Sequence, residues 1–146
     1  MNMPYRFIEG LTVADVAFEA TGKTLEEVFI SAADAMTETQ VENPKAITTK
    51  VEKSFELTTG KLDRLLHDFL QELIFYKDAD QLIFREYELH ITKIRDGFKL
   101  TCKAKGEVID PRRHNMLVDV KAVSWHKFKL EQIMEEEWKA VAIIDV

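Results

Sequence analysis

The sequence predicts an α+β fold, a two-layer sandwich in which two main helices pack on a largely antiparallel β-sheet. Two segments carry apolar residues at helical spacing, whereas most other segments alternate between apolar and polar residues, as half-buried strands do. The strands precede, separate and follow the helices without a regular βαβ alternation, which favours this layered arrangement. No repeat or long linker divides the 146 residues, so we expect a single domain over residues 1–146.

The first elements are two short strands and a helix. Residues 5–9 and 16–21 have the pattern of strands, and in the second strand apolar and polar positions alternate. A helix over 25–38 then begins with a capping box, in which the Thr24 hydroxyl can accept a hydrogen bond from the Glu27 amide. Apolar residues at helical spacing continue from that cap to the end of the segment.

A strand and a second helix follow. Residues 47–58 alternate between an apolar face that includes Ile47 and a polar face, so we predict a half-buried strand there. The second helix is predicted over 61–77, because its apolar residues form one broad stripe. That stripe consists of Leu62, Leu65, Leu66, Phe69, Leu70, Leu73 and Ile74.

The second half of the chain predicts mainly strands. Residues 87–92 and 98–105 alternate on either side of Asp96-Gly97, a pair typical of a type I′ hairpin turn because glycine accepts a positive φ. After a polar connection, residues 118–130 predict one bent strand or two short ones. A final strand, from Trp138 to Ile144, follows a charged turn.

Composition bounds the class of protein. The longest apolar run falls far short of the ~18 residues that cross a membrane. The first residues lack the apolar segment of a secretory signal. The single cysteine, Cys102, excludes a disulfide within the chain and agrees with a reducing compartment. We therefore expect a cytoplasmic protein.

Charge argues against a general nucleic-acid clamp. The formal net charge is −6, whereas neutralising phosphates requires clustered lysine and arginine. Lys99, Lys103 and Lys105 share one face of a predicted strand and could meet phosphates or an acidic partner. The more ordinary interpretation, which we prefer, is a solvated face paired across the hairpin with Glu86 and Glu88.

The usual signatures of catalysis are missing. Cys102 lies at an apolar position of a strand, where a cysteine is usually a small core residue. The sequence contains neither a nucleophile elbow nor a phosphate-binding loop, and no two histidines have metal-ligand spacing. His67 is interpreted as a boundary residue of the second helix. His114, beside Arg112 and Arg113, could contact an anion or simply lie in a solvated loop.

Two carboxylates stand at strand ends. Asp15 precedes an apolar strand, and Asp145 ends the apolar run of the last strand, where burial of a charge is costly without a partner. Together with an oxygen of Val146, they would suit a hard cation such as calcium or magnesium. The ordinary alternative is that both acids face water.

Four segments resemble one family. Residues 14–20 (Ala-Asp-Val-Ala-Phe-Glu-Ala), followed by Gly22 and residues 25–29 (Leu-Glu-Glu-Val-Phe), resemble the N-terminal signature of the archeases. Residues 120–126 (Val-Lys-Ala-Val-Ser-Trp-His) are similar to that family's Val-Lys-Ala-Ile-Thr-Tyr-His motif, and residues 62–73 to its leucine-rich helix. The final Asp145-Val146 is similar to its terminal Asp-Ile.

Two positions depart from the family pattern. Thr12 stands where the family has a histidine, so any role of that histidine is absent or passes to Thr12. Trp125 replaces the tyrosine of the motif, which keeps an aromatic ring but loses a hydroxyl.

The resemblance implies a function that composition alone does not. It implies a non-catalytic cofactor of the RtcB-type RNA ligase in tRNA splicing, one that promotes ligase guanylylation and multiple turnover and broadens its nucleotide use. It also implies a divalent metal, with calcium as the family's ion, held by Asp15, Asp145 and an oxygen of Val146. Lys121 and His126 would support that site or be ordinary surface residues. The alternatives are a general chaperone or interaction module and a small metal-dependent hydrolase.

Overall fold

The computed structural model describes residues 4–11 and 15–146, which form two α-helices and eight β-strands. In chain order these elements are β1 (Tyr5–Phe7), β2 (Val16–Gly22), α1 (Leu25–Gln40), β3 (Val51–Thr59), α2 (Leu62–Asp80), β4 (Leu82–Ile94), β5 (Gly97–Val108), β6 (Ala122–Val123), β7 (Lys129–Met134) and β8 (Glu137–Asp145).

The strands form two antiparallel sheets. One has the order β1-β2-β8-β6, and β7 also pairs with β8. The other has the order β3-β5-β4. The predicted α+β fold with two main helices is therefore confirmed, and the structure divides the strands between two sheets where the sequence suggested one.

A shared hydrophobic core joins the helices to both sheets. Side chains from five elements are fully buried in it, because each element turns one apolar face inward. These side chains are Phe18, Phe29, Phe69, Leu100 and Ile144. Within residues 4–11 and 15–146, neither α1 nor α2 has the combination of length and hydropathy that a membrane-spanning helix requires.

Both helices have identifiable ends. The predicted N-cap of α1 is confirmed, because the Thr24 hydroxyl accepts a hydrogen bond from the Glu27 amide at 3.1 Å. The second helix runs three residues beyond its predicted end, to Asp80. It stops at Gln81, which adopts a left-handed conformation with φ of 56°.

The strand predicted over 47–58 begins only at Val51, so its first four residues were wrongly assigned. Pro44–Ala46 form a short 3₁₀ helix, and Ile47 follows it as the C-cap. Ile47 packs in a small second cluster with Val41 and Ile83 instead of lying on the face of the strand. Its apolar side chain thus has a buried place outside the strand, which alternation alone does not reveal.

The type I′ turn predicted at Asp96-Gly97 is also wrong. The two loop residues are Arg95 and Asp96, because Ile94 pairs with Gly97. Neither has a positive φ, as a type I′ turn requires. Gly97 has a positive φ, and a Cβ there would lie 2.2 Å from the Thr59 carbonyl oxygen. This glycine allows close contact with the neighbouring strand.

The segment predicted over 118–130 as one bent strand or two short ones contains two strands. Short β6 and longer β7 both pair with β8, on the side opposite β2. Five residues separate them, and they include a turn closed by the hydrogen bond from the Phe128 amide to the Trp125 carbonyl, 3.2 Å.

Ion pairs cover the outer face of the smaller sheet. Lys105 lies 3.4 Å and Lys103 lies 4.0 Å from Glu88 across the hairpin, while Lys99 lies 3.4 Å from Glu56 of β3. The lysine cluster is thus the paired, solvated face that we preferred, although its second partner besides Glu88 is Glu56 and not Glu86.

One charge of this sheet points the other way. Lys53 lies on the inner face of β3, where its ammonium is 3.5 Å from Asp80 and 5.6 Å from the centre of the Tyr76 ring. Both contacts come from the C-terminal end of α2, and they compensate the charge of a half-buried side chain.

Candidate functional site

The pairing of β2 with β8 brings Asp15 close to Asp145 in register. The ladder ends with the pair of Val16 and Ile144. Continuing the same antiparallel register by one residue puts Asp15 opposite Asp145. Both carboxylates are half-buried, and no ion pair among the described residues involves either of them.

The strand β6 flanks Asp145 on its other side. Ala122 is the direct partner of Asp145, and the Lys121 amide donates a hydrogen bond to the Asp145 carbonyl at 2.8 Å. Val146 packs its side chain against the main core. The backbone that carries Asp145 is therefore held from both sides, while the Lys121 side chain is exposed.

The second helix holds β6 in place. His67 contacts the Val123 carbonyl through Nε2 at 2.8 Å, and the Gln71 side-chain oxygen accepts a hydrogen bond from the Val123 amide at 2.5 Å. A carbonyl oxygen can only accept, so His67 carries its proton on Nε2. The prediction that His67 is a boundary residue missed this role, since Val123 is 52 or more residues away from both side chains.

An exposed tryptophan follows β6. The Trp125 ring stacks on the His67 ring, with 3.9 Å between centroids and 6° between planes, and meets the Phe128 ring edge-on. Trp125 nevertheless remains 54% exposed. His126 and Lys127 of the same turn are also exposed, and the His126 amide bonds to the Ser124 hydroxyl at 3.0 Å. His126 therefore projects from a turn next to the candidate site.

The donor set fits a hard cation in part. It consists of two carboxylates and a main-chain oxygen of Val146, and such oxygen ligands are what calcium and magnesium prefer. The described residues contain no cluster of three or more His, Cys, Asp or Glu suited to a metal. Since calcium takes six to eight oxygens, water or a partner would have to complete the coordination. Thr12 lies outside the described residues.

A second polar cluster occupies a different part of the fold. The Glu107 carboxylate accepts hydrogen bonds from Arg113, from the Thr48 amide and hydroxyl (3.0 and 2.6 Å) and from His114 Nε2 (2.6 Å). The bond from Arg113 above all holds the pKa of Glu107 well below its usual range. His114 is buried, so the solvated loop predicted for it is wrong, whereas the predicted contact with an anion is present. It binds a carboxylate of its own chain.

Residues 5–146 match the Archease protein family (MTH1598/TM1083), which is nearly the whole chain. The chain belongs to the archease family. It is 35% identical to the protein archease of Pyrococcus abyssi, over 91% of this chain and 93% of that protein. It is 33% identical to the protein archease of Methanopyrus kandleri, over 99% of this chain and 100% of that one.

Solved structures agree with this assignment. The solution structure of protein 1598 from Methanobacterium thermoautotrophicum matches with a TM-score of 0.85 and 32% identity, covering 99% of this chain and 100% of that one. A crystal structure from Thermotoga maritima, described as an archease and possible chaperone, matches with a TM-score of 0.57 over 92% of this chain and 93% of that one. At 19% identity, the latter shows the shared fold alone.

Proposed function

We propose that this protein is a non-catalytic activator of an RtcB-type RNA ligase in the cytoplasm. It would promote guanylylation of the ligase, support multiple turnover in tRNA splicing and broaden nucleotide use. Membership of the archease family over residues 5–146 is the observation that carries the proposal. The strand register that brings Asp15 towards Asp145 supports it.

The working centre of this activator would be the acidic strand end. Asp15, Asp145 and a main-chain oxygen of Val146 would hold a divalent ion, with calcium as the ion of choice. Such an ion supplies positive charge that offsets phosphate charge during nucleotidyl transfer. The protein's own contribution is to fix the oxygens, because β2 and β6 hold the end of β8 from both sides.

An accessory role agrees with the burial of the single cysteine. Cys102 is buried, and burial raises the pKa of its thiol to about 12. A reactive cysteine requires the opposite, an accessible thiol with a lowered pKa. We therefore assign the chemistry to the ligase, and the activator contributes a surface and a charge arrangement.

The test compares carboxamide variants that keep the size of each side chain. Asp15→Asn, Asp145→Asn and the double variant are mixed with ligase and labelled GTP, and the rate of ligase guanylylation is measured. Calcium affinity is measured separately by calorimetry. Asp96→Asn, in the exposed hairpin turn, is the matched control. We expect the double variant to lose both stimulation and calcium binding while the control keeps both.

Two results would reject parts of this proposal. Full stimulation by a folded double variant would show that the acid pair is not the working centre. Stimulation that is lost while calcium affinity stays unchanged would reject the metal but leave the carboxylates in contact with the ligase.

A general chaperone is the second candidate, and exposed apolar side chains are the observation that favours it. Met134 is 68% and Phe75 is 57% exposed, and exposed apolar surface of this kind can bind unfolded chains. The Thermotoga maritima protein is described as a possible chaperone. Suppression of aggregation of a heated client protein tests this function. A chaperone would lose activity in a Met134→Ser, Phe75→Ser variant and keep it in the Asp15, Asp145 double variant.

A further inference from the structure

The segment from Lys121 to Lys129 differs in charge from the rest of the chain. It contains three lysines and no aspartate or glutamate, in a protein of net charge −6. Lys121, Lys127 and Lys129 are all exposed. One of them, Lys129, has a carboxylate within 3.6 Å, that of Glu131. The segment is thus a basic strip beside the acidic end of β8.

Trp125 lies in the middle of this strip and is held in one orientation. One face of its indole stacks on the His67 ring at 3.9 Å, and His67 is fixed by its hydrogen bond to Val123. The Phe128 ring supports the indole from the side at 5.3 Å. An exposed tryptophan whose rotamer is already fixed loses little conformational entropy on binding, and tryptophan is enriched among the residues that dominate protein interfaces.

We propose that the turn 125–128, with Trp125 as its anchor, is the surface on which this protein docks to a protein partner. The partner surface would offer an apolar pocket for the indole and an acidic rim for Lys127 and Lys129. Taking that partner to be the RNA ligase rests on the proposed function.

A protein fits this surface better than a nucleic acid does. Phosphates would be attracted by the lysines but repelled by Asp145, which ends the strand paired with β6, and by the net charge of the whole chain. An indole with flanking lysines next to carboxylates instead matches a mixed-charge protein surface, where a central apolar anchor is surrounded by a polar rim.

The turn 125–128 lies next to the strand end that carries Asp145. The Ser124 amide bonds to the Ile143 carbonyl at 2.9 Å, so the turn starts one residue after the ladder that holds the end of β8. A partner seated on Trp125 would therefore also face the strand end that carries Asp145. Docking and the proposed cation site are thus parts of one edge of the larger sheet.

The experiment measures affinity for purified ligase by biolayer interferometry, separately from guanylylation. Removing a tryptophan anchor from an interface weakens binding by roughly 30-fold, and we expect that loss for Trp125→Ala. Trp125→Phe should recover part of the affinity. Met134→Ala, which removes another exposed apolar side chain at the far end of β8, should bind as the wild type does.

The charge of the rim is tested in the same assay. Lys127→Glu should slow association, and the effect should shrink as salt is added, because long-range attraction is screened. Lys93→Glu, on an exposed strand end of the smaller sheet, is the control of equal charge change. Because the Lys127 side chain is exposed, this variant also tests the surface if Trp125→Ala unfolds.

The outcomes separate the two proposals. Equal affinities of wild type, Trp125→Ala and Lys127→Glu would overturn the docking surface alone. The absence of any complex between wild type and ligase would overturn the proposed function as well. Binding of a single-stranded RNA oligonucleotide that needs Trp125, with unchanged ligase affinity, would assign this surface to nucleic acid and also overturn the docking proposal.

Discussion

Replacing His67 by alanine should destabilise the protein, because His67 ties α2 to β6, a strand that lies far from it in the sequence. His67 is 7% exposed and contacts the Val123 carbonyl at 2.8 Å. Val123 itself is 5% exposed, so water cannot readily take the place of the imidazole. The substitution also removes the ring on which Trp125 stacks.

The expected loss follows from these two contacts. Leaving a buried carbonyl without a donor costs about 1–3 kcal/mol. A stacked aromatic pair contributes about 0.5–1.5 kcal/mol beyond its buried area. Together they lower the free energy of unfolding by roughly 2–4 kcal/mol. For a domain of this length that corresponds to a melting temperature lower by about 6–12 °C.

Urea unfolding followed by circular dichroism measures this loss. The control is His90→Ala, because His90 lies on the exposed outer face of the smaller sheet. A surface substitution of that kind should change stability by less than ~0.5 kcal/mol. Equal unfolding midpoints of the two variants would show that the bond between α2 and β6 does not stabilise the fold.

Two further predictions concern titrating groups. The pKa of Glu107 is lower in the folded protein than its usual value near 4.3, so its contribution to stability is complete above that value and is lost as the pH falls below it. Urea midpoints measured from pH 7 to pH 3 should drop at the acid end, and a Glu107→Gln variant, already less stable at pH 7, should show a weaker drop. A variant with the wild-type acid dependence would contradict this. Cys102, with its pKa raised to about 12 by burial, should resist iodoacetamide at pH 8 in the native protein and react fully in urea, as followed by mass spectrometry. Rapid alkylation of the native protein would contradict its burial.

Local patterns predicted the elements whose signal lies within one segment. The leucine stripe predicted α2, and the Thr24 cap predicted the start of α1, because the responsible residues are only a few positions apart. Local patterns predict the wrong conformation at Ile47 and at the Asp96-Gly97 turn. There the conformation depends on distant partners, namely Ile83 for Ile47 and Thr59 for Gly97.

Of the candidate site, only the two aspartates could be predicted from the sequence. Their positions at strand ends and the family resemblance indicate Asp15 and Asp145. The register of β2 with β8 puts these two residues opposite each other. The support from His67 and Gln71 was not predictable. Their partner is the backbone of Val123, and a backbone group has no residue type that a sequence could reveal. Whether the acids bind metal stays a prediction.

The smaller sheet has β3 and β4 as its edge strands, and each has a feature that discourages self-association. The inward Lys53 of β3 would have to be buried further if another strand were added at that edge, at the cost of its contacts with Asp80 and Tyr76. Along β4, the register shifts between Phe84 and Glu86, which interrupts the regular row of backbone groups. Inward charges and bulges are common protections of exposed strands against aggregation. Replacing Lys53 with an apolar residue would thus remove a safeguard against fibril-like pairing, even where it improved packing within one molecule.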